Sequence, residues 1–205
     1  MWMIFNIIYF FFLTACATYD ETVTYSSVIK LKNIQEGVRL HSHDIKYGSG
    51  SGQQSVTGMI DLDDVNSHWQ ILAAMNASYK RGQTVKCGDL IRLKHTSTGC
   101  FLHSHLFSAP LSNGNQEISC FTEGDTGDHW VVVCNTDEWL RDGSVKLKHK
   151  DTGKYLATSG HQYSRPISGQ REVVGVSSPG NSALWRSMEG IYMLPKQQQY
   201  RHDEF

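Results

Sequence analysis

The chain has 205 residues and a formal net charge of −1, with charged residues at 19% and no run of either sign. That balance lacks the basic stripe that nucleic-acid binding requires, so no nucleic-acid partner is expected. With 18 glycines against 4 prolines, and many Val, Ile, Thr, Tyr and Trp residues, the composition points to β structure broken by frequent turns.

The first segment, MWMIFNIIYFFFLTACA at residues 1–17, is uncharged and mostly apolar. It ends in Ala15-Cys16-Ala17, a small-x-small pattern that signal peptidase accepts, so cleavage after Ala17 is expected. Its apolar core is short for a bilayer span, and Asn6 interrupts it. No Lys or Arg precedes Lys30, which leaves an uncleaved signal anchor as one rival reading; Leu13-Thr14-Ala15-Cys16 has the form of a bacterial lipobox, which is another. No second apolar run follows residue 18, so no membrane span is expected in the mature chain.

Three copies of one unit come next: IKLKNIQEGVRLHSH at 29–43, IRLKHTSTGCFLHSH at 91–105 and VKLKHKDTGKYLATS at 145–159. Leu31, Leu93 and Leu147 are each followed six residues later by Gly37, Gly99 and Gly153, and nine later by Leu40, Leu102 and Leu156. Each copy then passes through SVTG, EISC or EVVG and closes on Trp69, Trp130 or Trp185, 37 or 38 residues after its leading leucine. Alternation in I-K-L-K and V-R-L-H predicts half-buried strands, and the glycine of each turn sits where a positive φ is needed. The unit is therefore expected to hold four short strands, too few to be stable alone. Three units about a pseudo-threefold axis can close a barrel and remove most sheet edges. The three tryptophans belong to the core by their recurrence, whereas Trp139 has no counterpart and suits either packing between units or the surface.

Within the first unit, HSHDIKYGSGSGQQSVTG at 41–58 offers several chemistries to weigh. His41/His43 and His103/His105 are i, i+2 pairs able to present two imidazoles from one strand, yet no carboxylate or cysteine is forced beside them and the third copy has no such pair. They are expected as exposed or hydrogen-bonded strand histidines, with no metal and no cofactor. Gly48, Gly50 and Gly52 precede Gln53-Gln54 and a strand, without the Lys-Ser/Thr and helix of a phosphate loop. Ser51, Asp44 and His43 lack the elbow that strains a nucleophilic serine, so no catalytic residues are assigned. The remaining reading is a long binding loop in which Tyr47 supplies a flat apolar face and Gln53 and Gln54 supply donors and acceptors. The expected binding set is His41, His43, Asp44, Tyr47, Gln53, Gln54, His103 and His105. Asn76-Ala77-Ser78, between the first two units, is a glycosylation sequon.

The LxLxHxxTGxYLHSH pattern with its trailing tryptophan resembles the MIR repeat of protein O-mannosyltransferases and of inositol-trisphosphate and ryanodine receptors. Together, Leu40 to Gly58, PLSNGNQEIS at 110–119 and WRSMEGIY at 185–192 resemble the stromal cell-derived factor 2 family over essentially the whole mature chain. The resemblance implies an all-β fold, a β-trefoil of three four-stranded MIR repeats over 22–195, with repeats at about 22–76, 84–136 and 138–193. It departs from the family at LATS in the third repeat and in the last residue of the tail.

On that registration, Cys87 and Cys134 stand at the two ends of the second unit, while Cys100 and Cys120 lie on its neighbouring second and third strands. Bridges Cys87–Cys134 and Cys100–Cys120 are therefore expected, in keeping with an oxidising compartment. The tail at 196–205 ends in His202-Asp203-Glu204-Phe205, one residue from the retrieval signal HDEL, so a retrieval receptor and residence in the endoplasmic reticulum lumen are expected. The resemblance further implies a non-enzymatic quality-control protein that joins a J-domain co-chaperone and a BiP-type chaperone to keep unfolded client proteins soluble. The alternative is a module that binds mannose or O-glycans, or an accessory to protein O-mannosylation.

Overall fold

Alternating side chains and one positive-φ glycine per copy are enough to build the repeat. In a computed structural model that describes residues 21–194, each copy forms four strands. They are β1 (Val28–Asn33), β2 (Arg39–Lys46), β3 (Gln54–Met59) and β4 (Trp69–Ala73); β5 (Leu90–His95), β6 (Phe101–Ser108), β7 (Gln116–Phe121) and β8 (Trp130–Val133); and β9 (Lys146–His149), β10 (Tyr155–Gln162), β11 (Arg171–Val176) and β12 (Trp185–Ile191). A three-residue 3-10 turn precedes the tryptophan of every copy, at Val65–Ser67, Thr126–Asp128 and Asn181–Ala183. Gly37, Gly99 and Gly153 take φ of 72°, 78° and 70°, closing the first hairpin of each copy in the left-handed region that glycine adopts without strain. The signal-peptide and retrieval-tail expectations fall outside the described residues. Among the described residues no helix is long and apolar enough to cross a membrane.

The strands divide into two sets. Pairings β1–β4, β4–β5, β5–β8 and β8–β9, a bridge between Val145 and Trp185, and the β12–β1 pairing carry hydrogen bonds around a six-stranded ring. The hairpins β2–β3, β6–β7 and β10–β11 form the second set, and their inner strands pair with one another, β3 with β7, β7 with β11 and β11 with β3. Closure of the ring leaves few unpaired sheet edges, which is how three individually unstable units stabilise one another.

Leu31, Leu40, Leu93, Leu102, Leu147 and Leu156 meet Trp69, Trp130 and Trp185 in one core, all fully buried. Each tryptophan donates its indole N–H to the second leucine's carbonyl, Trp69 to Leu40 at 2.8 Å, Trp130 to Leu102 at 2.9 Å and Trp185 to Leu156 at 2.8 Å. A bulky aromatic thus fills the interior without leaving its polar atom unsatisfied. Trp139 is buried in the same core, which decides between the two roles its lone position allowed.

Neighbouring copies are also latched to one another. Gln54 Nε2 donates to Thr98 Oγ1 at 2.9 Å, Gln116 Nε2 donates to Thr152 Oγ1 at 3.0 Å, and Arg171 Nε lies 3.5 Å from Glu36 Oε2. In each case the first residue of a copy's third strand reaches the residue just before the turn glycine of the next copy. The second copy is further bridged by Cys87–Cys134 and Cys100–Cys120, with Cα separations of 5.5 and 5.4 Å, the pairing expected from the repeat registration.

Candidate functional site

The hairpin loops at 47–53, 109–115 and 163–170 come together from the three copies, because their parent strands β3, β7 and β11 pair in a triangle. Between two of these loops and the third lies a cleft of about 230 Å³. Ile45 and Tyr47 line it from the first copy, Pro110 and Leu111 from the second, and Tyr163, Pro166 and Ile167 from the third, with Lys46 and Arg165 as its cations. Ile45 and Leu111 are each 40% exposed, so the apolar lining is accessible.

Buried carboxylates hold the loops in place from behind. Glu117 accepts from the Ser51 hydroxyl and from its N–H at 3.3 Å, and Glu172 accepts from Leu111 N–H at 2.6 Å and from Ser159 Oγ at 2.6 Å. A Cβ on Gly50 would stand 2.0 Å from Glu117 Oε2, so the glycine run lets the loop close onto that carboxylate. Ser51 is therefore a loop anchor, with its hydroxyl committed to a structural bond.

Several expected binding residues make hydrogen bonds within the fold. Tyr47 was expected as a contact face, but it is buried, with its hydroxyl 2.9 Å from Val56 O and 3.0 Å from Ile118 O. Burial raises its phenol well above the ordinary value. Gln54 is committed to the latch and to Ser42 Oγ at 2.8 Å, and Gln53 accepts from Ser119 Oγ at 2.5 Å. Of the expected binding residues in the first copy, Asp44 alone is exposed. Asn76 is exposed, at a φ of 62°.

The histidine pairs differ from expectation in a second way: both acquire carboxylates. The 3-10 turn before the tryptophan covers the outer face of β2 and of β6, so of the two states expected for these histidines, exposed or hydrogen-bonded, His41 and His103 take the second and are buried. Asp64, which caps the first turn, lies 2.7 Å from His41 Nδ1 and accepts from Ser67 Oγ at 2.5 Å. Burial opposes ionisation of Asp64, but the bonds from Ser67 and His41 outweigh it and hold its carboxyl below the usual range. His41 Nε2 then meets His43 Nδ1 at 2.7 Å, and His43 Nε2 meets Ser55 Oγ at 3.3 Å, so every ring nitrogen of that pair has a partner. Burial, then the neighbouring His41, lowers the pKa of His43.

In the second copy the geometry is different. His103 Nδ1 lies 2.8 Å from Asp128 Oδ1 and 3.6 Å from Asp125 Oδ1, while His105 Nε2 lies 3.5 Å from Asp125 Oδ2. In the third copy the corresponding positions are Ala157, Ser159, Gly180 and Ala183. Sequence reasoning missed Asp64, Asp125 and Asp128, although a faint signal existed: Asp64 and Asp125 each stand five residues before their tryptophan.

A match to the MIR domain family covers residues 31–138. Stromal cell-derived factor 2 of Homo sapiens is 53% identical over 178 residues, 85% of this chain and 84% of that protein. Among solved structures, the SDF2-like protein from Arabidopsis thaliana aligns with a TM-score of 0.83 and 42% identity over 86% of this chain and 99% of that one. An S. cerevisiae protein O-mannosyltransferase complex bound to the sugar donor aligns with a TM-score of 0.76 and 28% identity, over 86% of this chain and 27% of that one.

Proposed function

This chain belongs to the stromal cell-derived factor 2 family, and on that premise we propose that it is a non-catalytic binding protein of the endoplasmic reticulum lumen that holds unfolded polypeptide in partnership with a J-domain co-chaperone and a BiP-type chaperone. The fold that would carry this role is a β-trefoil, read from the six-stranded ring and its triangle of hairpins. A cleaved signal and the His202–Phe205 tail would deliver and retain it, and Asn76 would carry a glycan.

The observation that supports the reading is the three-loop cleft. Its lining of isoleucine, leucine, proline and tyrosine offers accessible apolar surface where an extended segment could bury side chains it would otherwise expose. Lys46 and Arg165 favour clients or partners bearing carboxylates close to an apolar anchor. A rigid barrel holds these loops at little ordering cost on binding.

The test is capture of partners from lumenal extract by the mature protein, alongside light scattering of a denatured client. The expected result is recovery of a J-domain protein and suppressed client aggregation, both weakened by Leu111→Asp. Recovery without any J-domain protein, and scattering unchanged by the wild-type chain, would overturn it. A second reading, binding of mannose or O-glycans in the same cleft, draws on the O-mannosyltransferase likeness and on Tyr163. Competition of client binding by a simple sugar would favour that reading instead.

A further inference from the structure

The first and second copies carry the same His-x-His strand, yet only one of the two pairs has all its nitrogens satisfied. His41 and His43 form a closed chain from Asp64 to Ser55. His103 is fully buried with Nδ1 held by Asp128, and its Nε2 makes no hydrogen bond within the described residues. A buried ring nitrogen without a protein partner carries a desolvation penalty that a bound water or ion would relieve.

The surroundings suit a metal. One ligand-capable atom from each of His103, His105 and Asp125 lies within 4.8 Å of the other two. The two imidazole rings stand edge to face with centroids 4.2 Å apart. Gly127, between Asp125 and Asp128, is what admits them: a Cβ there would lie 2.6 Å from His103 Cε1 and 2.9 Å from His105 Cε1. The first copy has Asn66 at that place in its turn. Asp125 Oδ1 accepts from Gly127 N–H at 2.7 Å, which leaves Oδ2 to face His105.

We propose that His103, His105 and Asp125 form a binding site for a zinc-class divalent metal, with Asp128 orienting His103 through Nδ1. Two neutral imidazoles and one carboxylate are a donor set that zinc accepts, and a carboxylate behind a ligating histidine fixes its tautomer and raises its basicity. The dication would be balanced by Asp125 in contact with it and by Asp128 one bond removed. Side-chain exposure of 42% at His105 and 44% at Asp125 gives the ion a path in from solvent and room for a further ligand. Calcium and magnesium, which prefer all-oxygen sites, should bind poorly.

The test is calorimetric titration of the full chain, prepared without a polyhistidine tag, with zinc chloride alone. One equivalent should bind. His105→Ala, at a part-exposed position, should abolish binding without unfolding the chain, and Asp128→Asn should weaken it by about 10–100-fold. His43→Ala in the first copy should leave it unchanged. Cobalt(II) should give the visible absorption of a low-coordinate site, lost in His105→Ala. Absence of binding, or binding that survives His105→Ala, would overturn the proposal; neither outcome bears on the polypeptide cleft.

Discussion

The second and third copies solve one packing problem with opposite chemistry. Between strand and 3-10 turn, the second copy buries His103 against Asp128, both fully enclosed and 2.8 Å apart. The third copy puts Ala157 and Ala183 in those places, fully buried beside Val174 and Ala109. The backbone does not register the difference: Trp130 and Trp185 make the same indole bond to Leu102 and Leu156, at 2.9 and 2.8 Å. The fold therefore does not need the polar pair. Burying a hydrogen-bonded polar couple is often no more stabilising than apolar packing, so stability alone gives no reason for His103 and Asp128 at these places.

That comparison can be broken most sharply by converting one copy into the other. His103→Ala alone strips the imidazole from a buried carboxylate, leaving Asp128 with the Asp125 N–H at 3.1 Å, and should cost about 3–5 kcal/mol in urea unfolding. Adding Asp128→Ala and Asp125→Gly, the third copy's residues, should recover most of that loss. A triple variant as unstable as the single one would mean that the two turns are not interchangeable.

The disulfide pair comes next. Cys100 and Cys120 stand where the first copy has Val38 and Gly58 and the third has Lys154 and Gly175. In the other copies a glycine admits the opposing side chain; a Cβ on Gly58 would lie 2.6 Å from Val38. Replacing both cysteines by alanine should lower stability by about 2–4 kcal/mol, read from the same unfolding curves. No loss would mean that the second copy packs as well unbridged as its neighbours do.

The smallest effect belongs to the latches. Arg171 pairs with Glu36 across 3.5 Å with its side chain 39% exposed, whereas its counterparts Gln54 and Gln116 make neutral bonds. Arg171→Gln should therefore shift stability by less than about 1 kcal/mol. What should change is the salt response: the ion pair is screened, and the amide that replaces it is not.

The sequence shows some of these features and hides others, by a consistent logic. Strand pattern, turn glycines and buried tryptophans are legible because alternation and φ preference act between near neighbours. Cysteine pairing is legible one step later, since the registration of the repeat brings Cys100 opposite Cys120's neighbourhood. Tyr47 misleads because a tyrosine among glycines and serines reads as exposed, and only the inter-copy pairing brings the Ile118 carbonyl to its hydroxyl. Asp64 and Asp128 are hidden because each 3-10 turn folds back over its own copy's strand, reaching histidines 23 and 25 residues earlier in the chain.

By itself, then, the sequence determined a threefold β repeat, its core and its covalent bridges, all consequences of spacing within a unit. The tertiary structure alone decided which residues share the cleft, and which histidine keeps a ring nitrogen without a partner among the described residues. Both depend on closure of the ring, which brings hairpin tips from all three copies together and lays each turn over its own strand. Polar atoms then find partners according to distance in space, and spacing along the chain carries no record of that choice.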